Sequence, residues 1–195
     1  MYHISNDKRS RSSAMFLYEA LLVLLKQKSL THINVSDVVK QAEIGRTTFY
    51  RCFDSIEDIL QYQSDIIFEK CGTYMHRMVV VEKMYKPDDT FIKVFLEFWS
   101  SHYSIIETLI AVDRTHIIHR SFKHMLTGLK AQYPDINIPY YDYFVEVRTA
   151  IAVTLLTQWI KDERSVSPSQ LVEVFKDQIL LDQFLYDTVI KSEEK

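Results

Sequence analysis

The apolar residues of this chain fall into helical stripes separated by short polar breaks. Ala14, Phe16, Leu17, Ala20, Leu21, Leu24 and Leu25 recur at three- and four-residue steps and predict an amphipathic first helix. A shorter stripe comes next in Val35, Val38, Val39 and Ala42, where Asn34 can cap the helix and Asp37 can serve as the reciprocal acid of a capping box. After the break Glu43-Ile44-Gly45, the run Arg46-Thr47-Thr48-Phe49-Tyr50-Arg51 gathers two arginines, two hydroxyls and a phenol on one helix, with Phe49 and Phe53 on its core side. Ser55 then opens a long helix expected over residues 55–83. Glu57 and Asp58 lie in its first turn, where carboxylates suit the positive helix end, and Ile59, Leu60, Ile66, Ile67, Met75, Met78 and Val79 are its apolar positions.

The second half continues in the same manner. Lys86-Pro87-Asp88-Asp89 marks a break, and Asp88 or Asp89 can cap the next helix. Residues 90–129 are rich in aromatics (Phe91, Phe95, Phe98, Trp99, Tyr103, Phe122), with helix interruptions expected near His102 and Asp113. Residues 133–139 read as a loop. A helix over 140–161 carries Phe144, Val147, Ile151, Leu155 and Trp159, and a last one begins at Ser167 with Pro168 in its first position. That helix bears Leu171, Val172, Val174, Phe175, Ile179, Leu180, Phe184, Leu185 and Val189. Both closing helices are apolar on more than one face, so each must be covered on two sides. The fold class expected is all-α.

Residues 33–60 carry the chemistry. A short, donor-rich helix braced by a short partner is how a helix-turn-helix reads a major groove. The segment resembles the helix-turn-helix of TetR/AcrR-type transcriptional regulators, whose usual run is Ala-Gly-Val-Ser-x-Gly-Thr-Phe-Tyr, then a Phe and a polar-acidic-Leu-Leu sequel. Here the run is Ala42-Glu43-Ile44-Gly45-Arg46-Thr47-Thr48-Phe49-Tyr50, with Phe53, Glu57, Asp58, Ile59 and Leu60 as the sequel. The similarity covers residues 12–60, about a quarter of the chain. Four positions depart from the pattern. Glu43 replaces a turn glycine, and a non-glycine residue in a left-handed turn costs about 1–2 kcal/mol. Gly45 replaces a capping serine, Thr47 a small residue facing DNA, and Ile56 a phosphate-contacting lysine.

The resemblance implies a helix-turn-helix DNA-binding domain over 1–54 and a helical effector-binding and dimerisation domain over 55–195. It implies a homodimer formed by the last two helices (140–162 and 167–190), and a palindromic double-stranded operator suits such a two-fold assembly. Arg46 is the expected base reader, because a bidentate arginine–guanine contact discriminates by about 1–3 kcal/mol. Thr47 and Thr48 can touch bases or phosphates. Ser36, Tyr50 and Arg51 are expected on phosphates, which position without reading sequence. Lys8, Arg9 and Arg11, clustered just before the first helix, are further candidates.

Composition narrows the rest. A chain of 195 residues can bury about 70% of its unfolded surface. It has only three glycines and four prolines, which agrees with helices throughout. The net charge of −3 argues against binding by bulk charge, so the local distribution of cations must carry any DNA contact. Cys52 and Cys71 lack metal or redox spacing and suit a reducing cytoplasm. No apolar run reaches membrane-spanning length, and the first residues lack the apolar centre of a signal peptide. The expected location is cytoplasmic, away from membranes.

Members of the resembled family commonly hold a small effector in the helical body. Phe95, Trp99, Tyr103 and Tyr143 could form apolar walls, with His116, His119 and Arg148 as polar anchors. Against this, aromatics at helical spacing are usually plain core, and Arg148 could instead pair with Glu146 or another carboxylate. His116 and His119 stand three apart but lack a third ligand, so no metal is expected. No nucleophile–base pair or glycine-rich phosphate loop occurs, and neither an enzyme nor a cofactor is expected. The alternative of another class is an adaptor that keeps the helix-turn-helix fold and acts through a protein partner. A variant of the DNA-binding reading makes the protein an activator rather than a repressor.

Overall fold

The computed structural model describes residues 1–5, 7–78, 90–132 and 138–173, and apart from one isolated β-bridge their regular elements are helices. Helix α1 (Lys8–Leu25) starts where the Asp7 carboxylate accepts the Ser10 backbone N–H at 2.8 Å, and it buries Ala14, Leu17, Ala20, Leu21 and Leu24. Phe16, expected in that stripe, is instead 48% exposed. It lies about 100° around the helix from Leu17, and the residues at 14, 17, 20, 21 and 24 already fill the seam.

A 3-10 turn (Leu30–His32) leads into α2 (Val35–Gln41) and α3 (Arg46–Cys52), which pack on α1 and on each other. Leu17, Leu21, Val38, Phe49, Cys52 and Phe53 are wholly buried in this head. Helix α4 (Ile56–His76) is capped as expected: Ser55 N–H donates to Asp58 Oδ2 at 2.8 Å, and Asp58 N–H donates to Ser55 Oγ at 3.3 Å. Residues 79–83 of the helix expected there, the break at 86–89, loop residues 133–137 and the last helix beyond 173 lie outside the described residues.

Helices α5 (Thr90–His102), α6 (Ser104–Ala111) and α7 (Thr115–Gln132) are separated at the two interruptions read from the sequence. Asp113 makes the second turn with φ 56°, in the left-handed region. Helix α8 (Tyr141–Lys161) ends through Glu163 and Arg164, both left-handed, and Trp159 Nε1 donates to the Val166 carbonyl at 2.7 Å. A further helix opens at Pro168, with Ser167 and Gln170 forming a reciprocal cap.

Two compact units emerge. One contains Met1–Lys70 and Ser104–Val153, the other Cys71–Tyr103 and Thr154–Lys195. In the first, Phe68 meets Phe122 edge-on at 6.0 Å, among buried Ile59, Leu60, Ile105, Ile106, Leu109, Ile117 and Ile118. In the second, wholly buried Trp99 meets Phe95 and Phe98 edge-on at 6.1 and 5.4 Å. Helix α8 is apolar on two faces: Val145, Val153, Leu156 and Ile160 are buried, whereas Tyr143, Val147 and Ile151 are 74%, 56% and 39% exposed. The four-residue spacing read from the sequence runs across both faces, since Trp159 is buried while Val147 and Ile151 are not.

Candidate nucleic-acid interface

The interface is built outward from the α2–α3 pair. Asn34 caps α2 in a full capping box: its Oδ1 accepts Asp37 N–H at 3.1 Å, and Asp37 Oδ2 accepts Asn34 N–H at 3.0 Å. Lys28 Nζ donates to the same Asp37 oxygen at 2.6 Å. This bond and the Asn34 N–H hold the Asp37 carboxyl below the usual carboxylate range. Glu43 turns the chain with φ 54°, and Ile44 N–H returns to the Val39 carbonyl at 3.0 Å, which closes the end of α2. Gly45 caps α3 with its backbone alone, its carbonyl accepting Thr48 N–H at 2.9 Å.

Helix α3 is sharply two-sided. Phe49 and Cys52 are fully buried, and Arg46, Thr47, Tyr50 and Arg51 are exposed, with Thr48 half-buried between. Tyr50 stands 56% exposed, its ring edge-on to Phe49 at 5.3 Å. Arg46 Nη2 donates to Ser36 Oγ at 2.5 Å and so ties α3 back to α2. Lys8, Arg9, Ser12 and Ser13 of α1 line one shallow concavity with Thr48 and Arg51 of α3 and the Glu43–Gly45 turn. Two parts of the sequence thus bring three cations to one face. Arg11 does not line this concavity, and its charge acts on the Tyr62 phenol.

A feature without any local sequence signal braces this head. Residues 1–3 cross the end of α3. Tyr2 forms an antiparallel bridge with Phe53, His3 N–H donates to the Cys52 carbonyl at 2.8 Å, and Asp54 N–H donates to the Met1 carbonyl at 3.1 Å. His3 Nε2 meets Asp54 Oδ1 at 3.0 Å, and this bond, with the Met1 ammonium, holds the Asp54 carboxyl low. The Tyr2 hydroxyl donates to Asp65 Oδ2 at 2.9 Å, and burial, reinforced by that carboxylate, pushes the phenol pKa up. Asp65 Oδ1 accepts from Ser121 Oγ (2.6 Å) and Gln61 Nε2 (2.8 Å), which joins α4 to α7.

The seven residues expected around an effector are distributed between the units. Phe95 and Trp99 are core of the second, where the Arg164 guanidinium also sits 3.4 Å from the Tyr103 ring centroid. His116 is exposed in the first unit and shares Glu57 with Arg114, each ring or guanidinium nitrogen 2.9 Å from a carboxylate oxygen. His119, Tyr143 and Arg148 are exposed. Arg148 lies 5.4 Å over the Phe144 ring, and Glu146, its alternative partner, pairs with Lys123. Among the described residues no group of His, Cys, Asp and Glu could hold a metal ion, and no helix is long and apolar enough to cross a membrane.

No protein-family model and no curated protein matches the chain. Solved structures do. Lin0861 from Listeria innocua superposes with a TM-score of 0.74 at 14% identity, over 94% of this chain and 98% of that one. A TetR transcriptional regulator from Streptococcus agalactiae superposes with a TM-score of 0.51 at 20% identity, over 87% and 94% of the two chains. The fold is TetR-like. At such identities the likeness is one of fold alone. What the TetR-like fold positions here, from this chain's own residues, is a donor-rich α3 face with Lys8, Arg9 and Arg51 beside it.

Proposed function

We propose that this protein is a sequence-specific DNA-binding transcriptional regulator that acts as a cytoplasmic homodimer on a palindromic operator. In this reading it is a repressor, released when a small effector in the helical body favours a spacing of the two heads that no longer fits successive major grooves. The observation that carries the reading is the two-sidedness of α3, where Phe49 and Cys52 are wholly buried and Arg46, Thr47, Tyr50 and Arg51 face outward. A helix held that firmly from behind can enter a groove without rearranging. The Lys8, Arg9 and Arg51 cluster supplies the neighbouring phosphate contacts.

Dimerisation rests on the outer face of α8. Tyr143, Val147 and Ile151 form an exposed apolar stripe at four-residue spacing, the kind of surface a symmetric partner covers. Tyr143 belongs to that face in this reading, which leaves Phe95, Trp99 and Tyr103 as the aromatic material for an effector site. The deciding experiment is selection of random duplex DNA by the purified protein at two salt concentrations. Enrichment of a palindrome bound more weakly at high salt is the expected result. Sequence-indifferent binding at both concentrations would overturn the proposal and favour an adaptor acting through a protein partner.

A further inference from the structure

Ser36 is the second residue of α2, in a turn fixed from two directions. The Asn34–Asp37 capping box closes it, and Lys28 clamps Asp37 from the preceding segment at 2.6 Å. The exposed Ser36 hydroxyl is therefore a fixed point, and it accepts the Arg46 guanidinium at 2.5 Å. Arg46 opens α3 directly after Gly45, whose missing Cβ would meet nothing within 4 Å. No carboxylate pairs with Arg46 among the described residues. Without the hydroxyl, a long exposed side chain at the start of a helix would sweep through solvent.

The choice of a hydroxyl is chemically apt. A carboxylate at this point would hold the guanidinium more tightly, but it would cancel the charge and repel the DNA backbone. A guanidinium has five N–H donors. With one given to Ser36, four remain, and a guanine O6/N7 contact needs two. We infer that Ser36 is a positioning residue that aims Arg46 at a guanine edge, so that one base pair per half-site is read by a pair bridging α2 and α3. The inference rests on the operator-binding reading above. It also replaces the role expected of Ser36 from the sequence, because a hydroxyl bound to phosphate would add the same affinity at every sequence.

The test uses the full chain and a duplex that the wild type enriches from a random pool, beside a scrambled duplex of the same length. Ser36→Ala keeps a good helix former at an exposed site, so the fold survives. It should weaken the selected duplex about 3- to 10-fold, leave the scrambled one within about 2-fold, and relax preference at one G·C pair per half-site. Ser36→Thr should restore wild-type preference. In an Arg46→Ala background the Ser36→Ala loss should vanish, as coupled residues require. Additive losses, or equal losses on both duplexes, would overturn the positioning role and leave the operator-binding reading intact. A wild type that enriches no sequence would overturn both.

Discussion

Val147 is the residue through which the proposed dimer can be tested most directly. It sits mid-stripe on the outer face of α8, 56% exposed, between Tyr143 and Ile151. Fully burying a valine is worth about 1.5–3 kcal/mol, so covering the exposed half stabilises by about 1 kcal/mol, and two-fold symmetry doubles this to about 2 kcal/mol per dimer. Val147→Asp removes that gain and puts a carboxylate into each half of a dry contact, where an unpaired charge costs several kcal/mol. The combined loss exceeds about 4 kcal/mol, which raises the dimer dissociation constant about 1,000-fold or more. Sedimentation velocity over a concentration series reads this directly, with circular dichroism showing that the monomer keeps its helices. The monomer should also lose affinity for a full palindrome while a single half-site is bound as by wild type. A Val147→Asp protein that stays dimeric at wild-type concentrations would refute the assignment of this face.

The turn, the cation cluster and the Glu57 ion pair each give a further expected outcome. Glu43→Gly places the residue best suited to φ 54° in the α2–α3 turn and should stabilise the protein by about 1 kcal/mol, read as a raised urea midpoint; an unchanged or lowered midpoint would show that the turn bears no strain. Arg51→Ala should weaken binding alike on selected and scrambled duplexes and lower the log–log salt slope by about 0.9 for each phosphate no longer neutralised, whereas a change in preferred sequence would make Arg51 a base reader. The Glu57 carboxyl is held below its ordinary 4.5: burial opposes this, but the hydrogen bonds from His116 and Arg114 outweigh it. A depressed carboxylate contributes stability above its unfolded pKa and loses it as pH falls through the folded value. The melting-temperature gap between wild type and Glu57→Gln should therefore narrow as pH falls below the carboxyl's ordinary 4.5, and a gap that does not narrow anywhere on the acid side would remove the ion pair as its source.

What the sequence made legible was local. The Asn34 cap, the Asp37 reciprocal acid, the stripe of α1 apart from Phe16, and the break at Asp113 each need only a few neighbouring residues, and each stands where the spacing put it. Contacts between distant parts carried no such period. The bridge from Tyr2 to Phe53 and the bond from Tyr2 to Asp65 join a polar N-terminal segment to residues more than fifty positions on. Glu57 reaches Arg114 and His116 across 57 and 59 residues, and from the sequence His116 could only be seen as a spare ligand or pocket anchor. In α8 the difficulty was one of phase. A helix apolar on two faces offers two overlapping stripes, and only packing decides that Val145, Val153 and Leu156 turn inward while Val147 and Ile151 stay out.

Packing also decides where the charge lies. A net of −3 suggests a poor nucleic-acid ligand, yet the sum is the wrong quantity for a surface on which charges farther apart than about 10 Å are largely screened from one another. What matters is that α1 packs on α3, which draws Lys8 and Arg9 to the side of Arg51 though more than forty residues separate them. Glu43 lines that concavity, and the Asp7 carboxylate that caps α1 also feels the charge of Arg51, so the cations outnumber the acids there only narrowly. The positive face is therefore a product of helix packing, and a substitution that loosens the α1–α3 seam, such as Leu21→Ala, would disperse it without removing a single charge.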